Sequence, residues 1–250
     1  MIDLAARCLV IGICCVVTTP AAAQVRSSPE EVPSVGSLFS GLPGDFVQLA
    51  SLRTVVLLGS GGALAVAVSP RDAELTRRAA ASGMLEEVLD GGEVLGDGAL
   101  HAGGAFATYA LGRLAHSPRF ASAGARLVRA QLLNAGLTHA LKFAVNRERP
   151  GSGRYSFPSG HSSASFATAT IVQREFGWKA GLVAYAAATY VATSRMSENS
   201  HYASDVIFGA AVGIASAYAV RFESASGRVT VSPFASPGRR GIAITIVSRR

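Results

Sequence analysis

Beyond residue 15 the chain has no cysteine: its three, Cys8, Cys14 and Cys15, all fall near the N-terminus. This excludes a disulfide framework and a thiolate zinc site for the rest of the chain. No His, Asp and Glu cluster with metal-ligand spacing takes its place, so no metal is expected. A Walker-type Gly-x4-Gly-Lys-Ser/Thr loop is also missing, which excludes nucleotide hydrolysis of that class. Charged residues make up only 16% of the 250, against 49% hydrophobic. The net charge is nevertheless +7. Its arginines are scattered, without a basic run or aromatic–basic interleaving, so no nucleic-acid partner is expected. That charge suits anionic lipid or phosphorylated substrates instead. No internal repeat or low-complexity tract is present.

The cysteines sit in what reads as a secretory signal over residues 1–23. Arg7 precedes an apolar core from Cys8 to Val17, and Ala21-Ala22-Ala23 offers a cleavage site before Gln24. The core is too short to be a comfortable permanent anchor. Lipoprotein processing at Cys14 or Cys15 is disfavoured, because Ile13 and Cys14 stand where a small residue belongs. The expected location is therefore the periplasm, with an integral inner-membrane protein whose site faces the periplasm as the alternative.

The remainder is long enough for one well-buried domain. Residues 24–45, rich in Ser, Pro and Gly, read as an irregular arm. An apolar helix is expected from Phe46 to Val68, interrupted by Gly59, Gly61 and Gly62 and ended by Ser69-Pro70. A more polar helix from Glu74 to Leu89 and a Gly-rich turn from Gly91 to Gly98 follow. Further helices are expected over Ala99–Ala115, Ser122–Val145, His161–Glu175, Ala180–Ser194 and Ala203–Phe222. Within residues 224–250, Val229–Ser232 and Ile242–Val247 alternate at period two around Pro233, Pro237 and Gly238, which reads as a β-hairpin. The fold class is mainly α: a bundle of about six core helices with a short C-terminal β-hairpin.

Three runs carry the chemistry. The first, Lys142-Phe-Ala-Val-Asn-Arg-Glu-Arg149-Pro150, places one cation near a helix end and another in the loop beyond. Arg offers a fork to two phosphate oxygens and Lys a point charge, so the pair can hold one anion from two directions. The second, Pro158-Ser159-Gly160-His161, opens a helix. There free N–H groups and the positive dipole end favour an anion. Gly160 permits close approach, Ser159 offers hydroxyl and amide, and His161 can give a proton to a leaving oxygen. In the third, Arg195 ends one helix, and His201 and Asp205 open the next at a spacing of four. Asp205 can fix one imidazole nitrogen and leave the other free to attack. His101, His116 and His139 have no partners at informative spacing and read as structural or surface groups.

As K-x6-R-P, P-S-G-H and S-R-x5-H-x3-D in that order, these runs resemble the type 2 phosphatidic acid phosphatase (PAP2) superfamily. That superfamily includes bacterial class A acid phosphatases and vanadium haloperoxidases. Every fixed motif position is matched from Lys142 to Asp205, and the resemblance implies a PAP2-like helical domain over residues 46–223. It further implies that Lys142, Arg149 and Arg195 bind phosphoryl oxygens, with Ser159 and Gly160 completing the cradle. His201 would be the nucleophile, Asp205 its orienting group, and His161 the acid and then the base. The implied activity is metal-independent hydrolysis of a lipid phosphate or small phosphomonoester through a phosphohistidine, with association at a membrane surface. No cofactor is implied, vanadate being a phosphate mimic. The alternatives are a vanadium-dependent haloperoxidase and a non-catalytic anion-binding envelope protein.

Overall fold

The computed structural model describes residues 32–81, 89–221, 228–236 and 239–247. The signal over residues 1–23 and the start of the arm lie outside them. Six helices of 17 residues or more stand among the described residues. These are α3 (Leu52–Val68), α6 (Gly98–Leu114), α7 (Pro118–Val145), α8 (Gly160–Phe176), α9 (Trp178–Ser197) and α10 (Ala203–Ala219). Shorter helices are α1 (Ser37–Ser40), α2 (Leu42–Gln48), α4 (Asp72–Ala80) and α5 (Gly92–Leu95), with a 3-10 turn at Ser69–Arg71. The strands β1 (Arg228–Ser236) and β2 (Arg239–Val247) pair antiparallel, with Arg228 opposite Val247.

Local chemistry sets the helix ends. Asp97 caps α6, its carboxylate accepting the Ala99 and Leu100 N–H groups at 2.8 and 3.0 Å. Pro118 occupies the first position of α7, where its missing N–H costs nothing, so that helix starts earlier than the expected Ser122. Asn146 closes α7 in the left-handed conformation, at φ 48°.

Helix α8 is the centre. It lies between α10, α9 and α7, while α3 packs on α10 and α6 on α7. Small residues let these axes approach. A Cβ on Gly213 would stand 2.1 Å from the Ser163 carbonyl oxygen, and one on Gly124 2.2 Å from the Tyr109 nitrogen. Both helix pairs therefore meet backbone to backbone. Leu127, Val128, Leu133 and Ile171 fill the core beside them.

Four segments differ from the expectation. The arm, expected to be irregular to residue 45, contains α1 and α2. Leu38 is buried with Tyr109 and Ala125, and Asp45 is buried against Arg129. The Gly-rich turn holds the helical turn α5 because Gly92 packs on Ser194. The apolar helix starts only at Leu52, capped by Ser51, and runs unbroken through its glycines. Of the polar helix expected over Glu74–Leu89, α4 ends at Ala80, and residues 82–88 lie outside the described ones.

Arg129 donates from Nε and Nη2 to the two oxygens of Asp45 at 2.6 Å each, and the Arg221 N–H adds a third bond at 3.1 Å. Replacing Asp45 with Ala leaves a half-buried guanidinium without its carboxylate. The expected loss is about 3–5 kcal/mol of unfolding free energy, read by denaturant unfolding of the purified protein in detergent. A variant as stable as the parent would show that the pair contributes nothing.

One continuous helical stretch among the described residues, Leu52–Ala80, is long and apolar enough to cross a membrane. Its mean hydropathy is 1.6 over the best window, and only 17% of that window is buried. Elsewhere α6 exposes Phe106, Leu111 and Leu114, and α9 exposes Trp178, Leu182 and Val183.

Candidate active site

Every expected site residue lies at one end of the bundle, where α7 and α9 finish and α8 and α10 begin. Lys142 stands on the last turn of α7, and its ammonium donates to the Tyr155 carbonyl. The loop after α7 folds back through Arg149 N–H to the Gly153 carbonyl at 3.0 Å, which brings the Arg149 side chain over the same end. Arg195, on the last turn of α9, is only 2% exposed. Its Nη2 meets the Glu198 carboxylate, Nη1 lies 4.0 Å from Glu93, and Nε is buried with no acceptor among the described residues. A buried donor with no acceptor is a group prepared for an anion.

At the start of α8 the side chain of Ser159 turns inward. Its hydroxyl accepts the Ser162 N–H at 3.4 Å, and its amide donates to the Asp205 carbonyl at 3.0 Å. The Ser159 amide, expected to face a phosphate, is thus engaged by α10, while its hydroxyl oxygen caps α8. Helix geometry instead leaves the N–H groups of Gly160 and His161 without intrahelical acceptors. A Cβ on Gly160 would lie 3.8 Å from Lys142 Cε, so this is where the backbone comes nearest the ammonium stem.

His201 is 2% exposed and lies in the loop before α10, held by its N–H to the Arg195 carbonyl at 3.1 Å. Its Nδ1 is 3.8 Å from Asp205 Oδ2, an ion-pair distance and not a hydrogen bond. The expected direct bond is replaced by Ser156, which donates to Asp205 Oδ2 and stands 3.4 Å from His201 Nδ1. This places a proton on Nδ1 and leaves the Nε2 lone pair free. Burial is the main cause that holds His201 below the ordinary imidazole range. Asp205 opposes it, while Lys142 and Arg149 push the same way. The imidazole is thus kept neutral, as a nitrogen nucleophile must be.

Behind Asp205 stand two further charged side chains, Arg147 and Asp72. Arg147 donates from Nη1 to Asp205 Oδ1 and from Nη2 to Asp72 Oδ2, each at 2.8 Å. Arg147, Asp72 and Ser156 were absent from the site as expected from sequence. Arg147 sits inside the first run but reads there as a basic turn beside Glu148, and Ser156 adjoins the second run. Asp72 has no spacing signal at all, being 70 residues upstream of Lys142.

A cleft of ≈ 480 Å³ between α6, α7 and α8 reaches the site at Gly160 and His161. Its walls include Phe106, Val128 and Leu132, with Gln131, Asn134 and Thr138 as a polar stripe. His139 lines its rim, and His116 is exposed. His101 lies within hydrogen-bond reach of Ser165 and Thr168, at 3.1 and 2.9 Å, in the interior of the bundle.

Residues 123–223 match the family model of the PAP2 superfamily, which spans the site from α7 to the end of α10. Over that region the chain is similar to the PAP2 superfamily. Over 86 residues the chain is 41% identical to the lipid A 1-phosphatase of Porphyromonas gingivalis. That alignment takes in 33% of this chain and only 19% of the longer protein. Two solved structures share the fold. Aquifex aeolicus LpxE superposes with a TM-score of 0.50 at 21% identity, covering 59% of this chain and 92% of that one. A transmembrane PAP2 type phosphatidylglycerolphosphate phosphatase from Bacillus subtilis gives 0.51 at 21%, covering 66% and 92%.

Proposed function

We propose that this protein is a membrane-embedded phosphatase that hydrolyses lipid phosphate esters, without a metal, through a phosphohistidine on His201. The observation that carries the reading is the convergence at one end of the bundle of Lys142, Arg149 and His161, which face the buried His201, with Arg195 facing His161 in turn. Three cations and the α8 N–H groups supply the charge that stabilises the equatorial oxygens in phosphoryl transfer. In the first step His201 Nε2 bonds to phosphorus as the ester P–O bond breaks, and His161 gives its proton to the departing oxygen. In the second, His161 takes a proton from water, the water oxygen bonds to phosphorus, and the P–N bond breaks. Phosphate leaves and both imidazoles return to their starting states.

The lipid substrate rests on separate support. Long helices of 17 residues extend about 26 Å, close to a hydrocarbon core of about 30 Å, and the outer faces of α3, α6 and α9 are apolar. An apolar-walled cleft beside His161 suits a leaving group that carries hydrocarbon. The Porphyromonas gingivalis relative and the Bacillus subtilis structure are named for lipid phosphates. This is the integral inner-membrane alternative and not the exported periplasmic protein first expected, with the site placed on the periplasmic face.

The test is phosphate release by protein purified in detergent, on dioleoyl phosphatidate in mixed micelles and on p-nitrophenyl phosphate, each with excess EDTA. Turnover of the phosphatidate is expected to persist in EDTA and to exceed that of the soluble ester at least tenfold. Loss of activity on chelation, restored by a divalent ion, would rule out the metal-free mechanism. Preference for the soluble ester, with release of the protein from membranes by carbonate, would rule out the lipid reading.

A further inference from the structure

The PAP2 match begins at residue 123, yet one of the most heavily bonded groups behind the site comes from before it. Asp72, the first residue of α4, is only 3% exposed. Its Oδ1 accepts the Ser204 N–H at 2.9 Å, and its Oδ2 accepts both the Ser204 hydroxyl and Arg147 Nη2. Arg147 Nη1 spans from the Ser204 hydroxyl to Asp205 Oδ1, each at 2.8 Å, and the guanidinium lies 4.2 Å over the Tyr202 ring. Asp205 is fully buried, and its other oxygen accepts from Ser156 and from the Tyr202 N–H at 2.9 Å. One carboxylate oxygen is thus fixed by Arg147 and the other is presented toward His201. Rotation of Asp205 would break bonds on both sides.

We propose that Arg147, itself held by Asp72, is a positioning residue that orients and neutralises Asp205 so that His201 presents an unprotonated nitrogen to phosphorus. This rests on the phosphatase reading above. Burial alone would weaken the Arg147 charge, but bonds to and charges of Asp72 and Asp205 outweigh it and hold the guanidinium above its ordinary range. With Arg147 in place, the Asp205 charge is shared, and its pull on a proton at His201 is reduced. The other groups that face His201 are Lys142 on α7, Arg149 in the following loop and His161 on α8. Arg195 on α9 faces His161 in turn, with Glu93 and Glu198 beside it and Asp97 near His161. None of these contacts Asp205 Oδ1, the oxygen that Arg147 holds.

The two members of the network make opposite predictions. Arg147→Gln frees the full Asp205 charge toward His201. The acid limb of kcat/KM should move up by about one pH unit, with kcat down about 10²-fold and KM within threefold. Asp72→Asn removes an anion and leaves Arg147 to Asp205 alone, so kcat should fall while the acid limb stays or moves down. Arg147→Lys keeps the charge without the fork and should restore the limb while recovering only part of kcat.

All three are to be measured on dioleoyl phosphatidate in mixed micelles beside the parent protein. Opposed limb movements would support the network. Limbs unmoved in Arg147→Gln and Arg147→Lys alike, or rates lost only in proportion to lost folded protein, would overturn it. If Arg147→Gln does not fold, Asp72→Asn decides: an upward limb shift, or a kcat within twofold of the parent, overturns the proposal. A parent protein without phosphatase activity would instead defeat the reading on which the proposal rests.

Discussion

Replacing His201 with alanine is expected to lower kcat by roughly 10⁴–10⁶-fold while leaving the protein folded. The ring is held at its margin: its Nδ1 is 3.4 Å from Ser156 and its backbone N–H bonds to Arg195. Neither bond supports a helix, so loss of the ring should cost little structure. The bonds lost are those of the covalent step, because no second neutral imidazole stands on the Asp205 side of the pocket. His161 is on α8, away from the Ser156–Asp205 pair, and cannot substitute without giving up its own part as acid and base. Rapid quenching of the parent protein with labelled lipid phosphate should trap an acid-labile, base-stable phosphoryl group on His201. A His201→Ala protein with a near-normal rate, or label recovered on serine, would remove His201 from the mechanism.

The second large effect is expected at Arg195. Of the three cations it is the most deeply buried, at 2% exposure, whereas Lys142 and Arg149 are half-buried and open to water. A donor in a water-excluded position contributes more to a developing charge than a solvated one, because water cannot take its place. Arg195→Ala is therefore expected to lower kcat/KM by roughly 10²–10³-fold. Arg195→Lys should recover little, since an ammonium cannot place two N–H groups in one plane. The same change at Arg149 should cost less. Steady-state kinetics of the three variants on one lipid phosphate provide the comparison, and an Arg195→Lys protein within threefold of the parent would show that charge alone suffices.

Much of this site was legible along the chain because its parts are short and stereotyped. Lys142, Arg149, His161, Arg195, His201 and Asp205 are each marked by a neighbour that fixes local backbone, such as Pro150 after Arg149 or Gly160 before His161. All six meet at one end of the bundle because helices that alternate in direction bring every second junction to the same side. The positions of the long helices followed from the same local rules of capping and apolar pattern. Less was legible where a side chain had two plausible uses. Ser159 reads equally as phosphate donor and helix cap, and only the bond from its amide to the Asp205 carbonyl decided for the cap. Leu38 and Asp45 sit among Ser, Pro and Gly, and only burial against Tyr109 and Arg129 turned that arm helical.

By itself, then, the sequence determined the chemical inventory and the backbone that carries each member: three cations, two imidazoles and a carboxylate, on helix ends and loops. Those properties are local, set by dihedral preference and residue type within a few positions. Only the tertiary structure decided how the carboxylate reaches its imidazole, through Ser156 and not directly, and that Asp72 and Arg147 stand behind it. The reason is that buried charge must be paired wherever a partner can be found, and folding found that partner on α4, more than a hundred residues away in the chain from Asp205.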